Sequence, residues 1–198
     1  MKIALLALLL VCAFADNTLD WTNNVQEVEA TLPIWPLNNN IECISWTDPY
    51  KQCDAAWKDI KMGDKTICQA GSLTTSMSMA LRKRGKKIDG RESNPGTLNA
   101  WLKTHGGYSG NLFVWGSVAP LGLKFLYHTT NHTNIRNCIC EDTCEAILNV
   151  ENGKHYVLAT GFSGPIYKVN NPYSNYTQSM DYTDLPYVGV TRASLFRG

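Results

Sequence analysis

The chain has 198 residues, 44% of them hydrophobic, with 18 Lys and Arg against 17 Asp and Glu and a formal net charge of +1. That length suits one well-cored domain with room for a short extension rather than two full domains. A balance so close to neutral offers no general attraction to nucleic acid or to an anionic lipid surface.

Met1 to Ala15 carry one lysine, an apolar run from Ile3 to Phe14 and the small-residue ending Ala13-Phe14-Ala15. This reads as a secretory leader cleaved before Asp16. A membrane span needs roughly 20 apolar residues, and this run is about half that. No later stretch is long and apolar enough to span, because Lys, Asp, Asn or Gly interrupt each candidate. A soluble, secreted mature protein is expected. Loss of Lys2 with the leader brings the 18 basic residues level with the 17 acidic ones.

Residues 16–49 are polar and turn-rich, with Pro33, Pro36 and Asn38-Asn39-Asn40 between short apolar runs. They read as an extension wrapped on the domain formed by 50–198, with Trp21, Trp35 and Trp46 as its packing groups. From Ser72 to about Arg84 the recurrence of Leu73, Met77, Ala80 and Leu81 predicts a helix ended by Gly85. The basic cluster Arg82-Lys83-Arg84, with Lys86 and Lys87, then reads as a solvated helix end. Asn94 as N-cap, Pro95 at the first helical position, Leu98, Trp101 and Leu102, and the stop Gly106-Gly107 predict a second helix. Leu112 to Phe125 reads as a covered loop or a short helical piece, and His128 and His132 fall in a polar loop. Ala146–Val150, the turn Glu151-Asn152-Gly153, His155–Phe162 and Ile166–Asn170 predict antiparallel strands. Helices followed by an antiparallel sheet make an α+β fold.

Of the 7 cysteines, Cys12 leaves with the leader, and Cys43, Cys53, Cys68, Cys138, Cys140 and Cys144 remain. An even set in a secreted chain argues for three disulfides, with connectivity open. Cys138, Cys140 and Cys144 near His132 and Asp142 offer a metal site as the alternative, but the C-x-x-C spacing of such sites is missing. Asn131-His132-Thr133 and Asn175-Tyr176-Thr177 are sequons that predict surface glycosylation at Asn131 and Asn175.

Three segments carry a resemblance. Gly71-Ser72-Leu73-Thr74-Thr75-Ser76-Met77-Ser78-Met79 is similar to the Gly-Cys-x-x-Thr-Ser-x-x-Met opening of the catalytic helix in papain-like cysteine peptidases of the bacteriocin-leader-processing, double-glycine-peptidase-like group. Asn94-Pro95-Gly96-Thr97-Leu98-Asn99-Ala100-Trp101-Leu102 resembles that group's Asp-Pro-Gly-x-Leu-Asn-x-Trp-Leu stretch. Gly153 to Gly161 and Val169-Asn170-Asn171-Pro172 resemble its histidine strand and the following Asn/Asp-Pro. The resemblance spans about residues 50 to 198. It implies a papain-like α+β domain, N-terminal helices packed on a C-terminal antiparallel sheet, with Ser72, His155 and Asn171 at the catalytic positions and no cofactor.

The nucleophile position holds serine, not cysteine. A thiolate at a helix N-terminus, paired with an imidazolium, is a resting nucleophile, whereas a serine hydroxyl is too weak an acid to be held as an alkoxide. The resemblance also implies a glutamine oxyanion donor six residues before the nucleophile, where Thr66 stands, with Gln69 out of register. The expectation is a catalytically inactive binding or structural protein. The alternatives are a cysteine peptidase using Cys68, and a serine hydrolase using Ser72 with His155 and Asn171. The retained cleft suits an extended peptide, a glycan or a protein partner, and the tyrosines Tyr173, Tyr176, Tyr182 and Tyr187 also allow self-association.

Overall fold

A computed structural model describes residues 43–44, 47–173 and 184–198, and strand formation dominates the second half of the chain. The expected leader, most of the extension with Trp21, Trp35 and Trp46, the sequon at Asn175, and Tyr176 and Tyr182 lie outside the described residues. In chain order the elements are β1 (Cys43–Ile44), α1 (Ile67–Ala70), α2 (Ser72–Lys83), β2 (Lys87–Ile88), β3 (Arg91–Glu92), α3 (Pro95–Thr104), β4 (Tyr108–Ser109) and β5 (Leu112–Phe113). A 3-10 segment (Trp115–Leu121) leads to β6 (Lys124–Thr129), α4 (His132–Cys140), β7 (Cys144–Val150), β8 (His155–Ser163), β9 (Ile166–Asn170), β10 (Asp184–Pro186) and β11 (Val190–Arg197).

The main sheet runs β10-β9-β8-β7-β11-β6, every pair antiparallel. β7 pairs with β8 from His155 to Leu158, and β1 pairs with it further along, at Gly161 and Phe162. A Cβ at Gly161 would lie 2.5 Å from the Cys43 carbonyl oxygen, so only glycine lets β1 come this close. The fold is α+β, as the order of helix and strand signals predicts.

β7 is buried along its whole length because both faces of the sheet are covered. Ala146, Leu148 and Val150 pack with Ile135, Cys138 and Ile139 of α4. Ile147 packs on the opposite side with Met77, Ala80 and Leu81 of α2 and with Leu98, Trp101 and Leu102 of α3. Full burial of each such side chain stabilises by about 1.5–3 kcal/mol, so the two apolar clusters fix the strand alternation firmly.

On the other face α4 stands where a polar loop is expected. Ile135, Cys138 and Ile139 have helical spacing, but the cysteine cluster and the sequon pointed to a loop. His128 therefore lies on β6, and His132 opens α4 behind the N-cap Asn131, whose side chain accepts from Thr133 N at 2.8 Å. The region 112–125 becomes a short hairpin strand and a 3-10 segment closed by Gly122 in the left-handed conformation.

The solvated helix end also needs correction. Glu145 on β7 has a fully buried side chain that accepts from Lys83 Nζ at 2.9 Å and from the Arg84 guanidinium. Arg82 pairs with Asp48 and Glu92. The run of charges joins α2 to its neighbours instead of facing water. Disulfides join Cys43 to Cys140, Cys53 to Cys68 and Cys138 to Cys144. They tie β1 to the end of α4, the 53–68 loop to itself, and α4 to the start of β7.

Candidate functional site

The N-terminus of α2 is set by a tight junction with α1. Gly71 N donates to Ile67 O at 2.7 Å, and a Cβ at Gly71 would lie 2.4 Å from that same oxygen. Gly71 is thus the N-cap and has no side chain to satisfy the first-turn amides. Ser72 is the first helical residue, 7% exposed.

His155 begins β8 directly after the turn at Glu151-Asn152-Gly153, whose φ values of 53°, 55° and 90° reverse the chain. Its Nε2 lies 2.7 Å from Asn171 Oδ1, just past β9. That oxygen also accepts from Tyr173 N at 3.0 Å. A main-chain N–H can only donate, so the atom is the amide oxygen, Nε2 carries the proton, and Nδ1 is left with its lone pair. Both residues are 3% exposed. Burial pushes the His155 pKa below the ordinary imidazole value, opposed by the Asn171 hydrogen bond and the charge of Glu151. The ring is neutral near pH 7. The Tyr173 ring packs 4.5 Å from it.

Ser72, His155 and Tyr173 line one cavity of about 480 Å³. Asn171 stands behind the imidazole, outside that lining. Among the described residues no hydrogen bond joins the Ser72 hydroxyl to the imidazole. Tyr108, Phe113, Trp115 and Tyr156 form aromatic walls further along. Burial raises the Tyr108 pKa, and its hydroxyl donates to Asn99 Oδ1 at 2.9 Å.

Sequence reasoning missed a glutamine at the cavity, Gln52. It is 5% exposed, lines the same cavity, and sits 20 positions (72 minus 52) before Ser72. Its Nε2 donates to Cys68 O at 2.6 Å, which fixes the amide orientation and leaves one N–H of that group uncommitted. Its main-chain N–H donates to Pro172 O at 2.7 Å, next to Asn171. Thr66 and Gln69 instead cap α1. Thr66 Oγ1 accepts from Gln69 N, and Gln69 Oε1 accepts from Thr66 N. The available signal was Gln52 beside Cys53, because the Cys53–Cys68 disulfide ties the segment to α1, which leads directly into α2.

That disulfide removes the thiol that a peptidase acting through Cys68 requires. The candidate metal ligands Cys138, Cys140 and Cys144 are likewise consumed in disulfides. His128 lies elsewhere, accepting or donating at 2.9 Å to Ser194 Oγ and packed on Trp115, and burial pushes its pKa down to about 4. His105 caps α3, stacked on Trp101. No helix among the described residues is long and apolar enough to cross a membrane.

No family model matches the sequence, and no curated protein matches it. Among solved structures, a crystal structure of a double glycine motif protease from an AMS/PCAT transporter in complex with the leader peptide aligns with 78% of this chain and 93% of that one. The TM-score is 0.47 and the identity 19%. At that level the likeness speaks to neither activity nor ligand.

Proposed function

We propose that this chain is a secreted, papain-like peptidase homologue that holds an extended peptide in the cavity beside Ser72 without cleaving it. The observation that carries the reading is the pairing of a neutral, buried His155 with the neutral amide of Asn171, facing a cavity lined by a serine. An Asn orients an imidazole well enough for a thiolate–imidazolium pair that exists at rest. A serine needs more, because the imidazolium forms only in the transition state and a carboxylate is what stabilises it there. Loss of that carboxylate in a serine triad costs about 10⁴ in rate. Burial of His155 works in the same direction by disfavouring the charged ring.

Binding has separate support. The uncommitted N–H of Gln52 and the uncapped first turn of α2 are donors for a peptide carbonyl, and the aromatic walls accept side chains. Secretion is supported by the leader-like Met1–Ala15 and by three disulfides, and surface glycosylation at Asn131 by its sequon and its exposure.

One observation favours a second reading, serine hydrolysis through Ser72. Gln52 lines the cavity with an uncommitted amide N–H, which would serve as the oxyanion donor that the sequence alone left wanting. A bead-bound decapeptide library separates the two. Wild type is expected to retain intact peptides, and Ala70→Trp, which fills the cavity from its rim, to release them. Fragments produced by wild type and not by His155→Ala would establish hydrolysis.

A further inference from the structure

The charge inside the cavity differs from that of the chain. Overall the sequence is close to balance, with 18 basic and 17 acidic residues. Among the described residues that line the cavity there are two cations, Lys154 and Arg192, and no aspartate or glutamate. Lys154 is the residue immediately before His155. Arg192 lies on β11 opposite Asn149 of β7, at the register shift between Val190 and Arg192. Neither has a hydrogen bond or ion pair to a side chain among the described residues, whereas Arg82, Lys83, Arg84 and Arg197 are all matched with carboxylates. Glu151, whose field reaches His155, does not line the cavity.

Unpaired surface lysines are ordinary and carry no such argument. Arg192 differs because it is half-buried in a concave site whose walls include Trp115 and Tyr156, where water is reduced and an opposite charge is felt strongly. A guanidinium also offers a planar fork that matches a carboxylate, whereas Lys154 adds an exposed point charge.

We infer that Lys154 and Arg192 form a carboxylate subsite, so that the peptide held beside Ser72 is selected for an acidic group. This rests on the peptide-binding reading above and names the class of peptide. The Gln52 and α2 donors take main-chain carbonyls, which are neutral and common to every peptide, so they discriminate nothing. The two cations supply the discrimination, preferring a carboxylate and repelling lysine or arginine at the same place.

The test uses fluorescein-labelled decapeptide pools in which the central residue is Glu, Gln or Lys, each with a free acid or an amide at the C-terminus. Anisotropy is read for wild type, Arg192→Met and Arg192→Met with Lys154→Met, after thermal melts confirm that the variants fold. Wild type is expected to bind the Glu pool, or the free-acid pools, at least about tenfold tighter than their neutral counterparts, with the Lys pool weakest. The ratio should fall to near one in the double variant while affinity for the neutral pools stays within about twofold. A central Glu effect marks a side-chain carboxylate, and a free-acid effect marks the chain terminus. Equal binding of acidic and neutral pools by wild type overturns the subsite and leaves peptide binding standing. An acidic preference that survives both substitutions also overturns it. Binding of a sulfated oligosaccharide through Arg192, with no peptide bound, overturns it together with the peptide reading.

Discussion

Ser72→Cys converts the geometry of the site into a titration. The new thiol sits at the first position of a 12-residue helix whose N-cap, Gly71, contributes no side chain, so its amides are free to stabilise an anion. A helix terminus stabilises a nearby charge by up to about 2 kcal/mol in a partly buried site; about 1.4 kcal/mol of that is one pKa unit, so the helix alone should bring the thiol from about 8.5 to about 7.5. His155 adds to this only when protonated, and its burial disfavours that, so the apparent value is expected between about 6 and 7. The assay is iodoacetamide alkylation against pH on protein beginning at Asp16, in which the native cysteines are all in disulfides and silent. His155→Ala should move the profile back toward about 7.5. A profile centred near 8.5 that ignores His155→Ala would refute the pre-formed site.

Other consequences follow from the same contacts. Glu145→Ala removes the anion between Lys83 and Arg84 and should cost about 3 kcal/mol in urea unfolding, while Asp48→Ala on the surface should cost less than about 1. Replacing Cys53 and Cys68 together by Ala opens a loop with a sequence separation of 15 and should cost about 3 kcal/mol, measured the same way. His128 has a folded pKa of about 4 against 6.5, so the folded state binds fewer protons in that window. Its contribution to stability is present above pH 6.5 and is lost as pH falls toward 4; thermal melts of His128→Gln should show a shallower decline. Thr133→Ala destroys the sequon but keeps the Asn131 cap, so intact mass should show loss of a glycan with little change in Tm.

Some of this was legible in the sequence because it rests on local chemistry. Asn94-Pro95 announced α3, and the structure repeats the capping box there, with Thr97 N donating to Asn94 Oδ1. The turn at Glu151-Asn152-Gly153 and the strands on either side are likewise local. What failed depends on distant partners. Glu145 turns a helix-end charge cluster into a buried ion network, and it lies 61 and 62 positions away from the residues it holds. α4 was masked because its apolar face is partly built from cysteines, whose pairing with Cys43 and Cys144 cannot be read from spacing. Gln52 escaped for the same reason. The closure of the 53–68 loop and the main-chain bond to Pro172 bring it to the cavity, and a search at a fixed spacing before Ser72 finds the capping pair Thr66 and Gln69 instead.

The central claim, retention without turnover, is tested most directly by following one retained peptide with wild-type protein over days by mass spectrometry. The account predicts that the peptide keeps its intact mass, stays bound one to one, and is released by Ala70→Trp. Two complementary fragments that accumulate with wild type, and fail to appear with Ser72→Ala or His155→Ala, would contradict it.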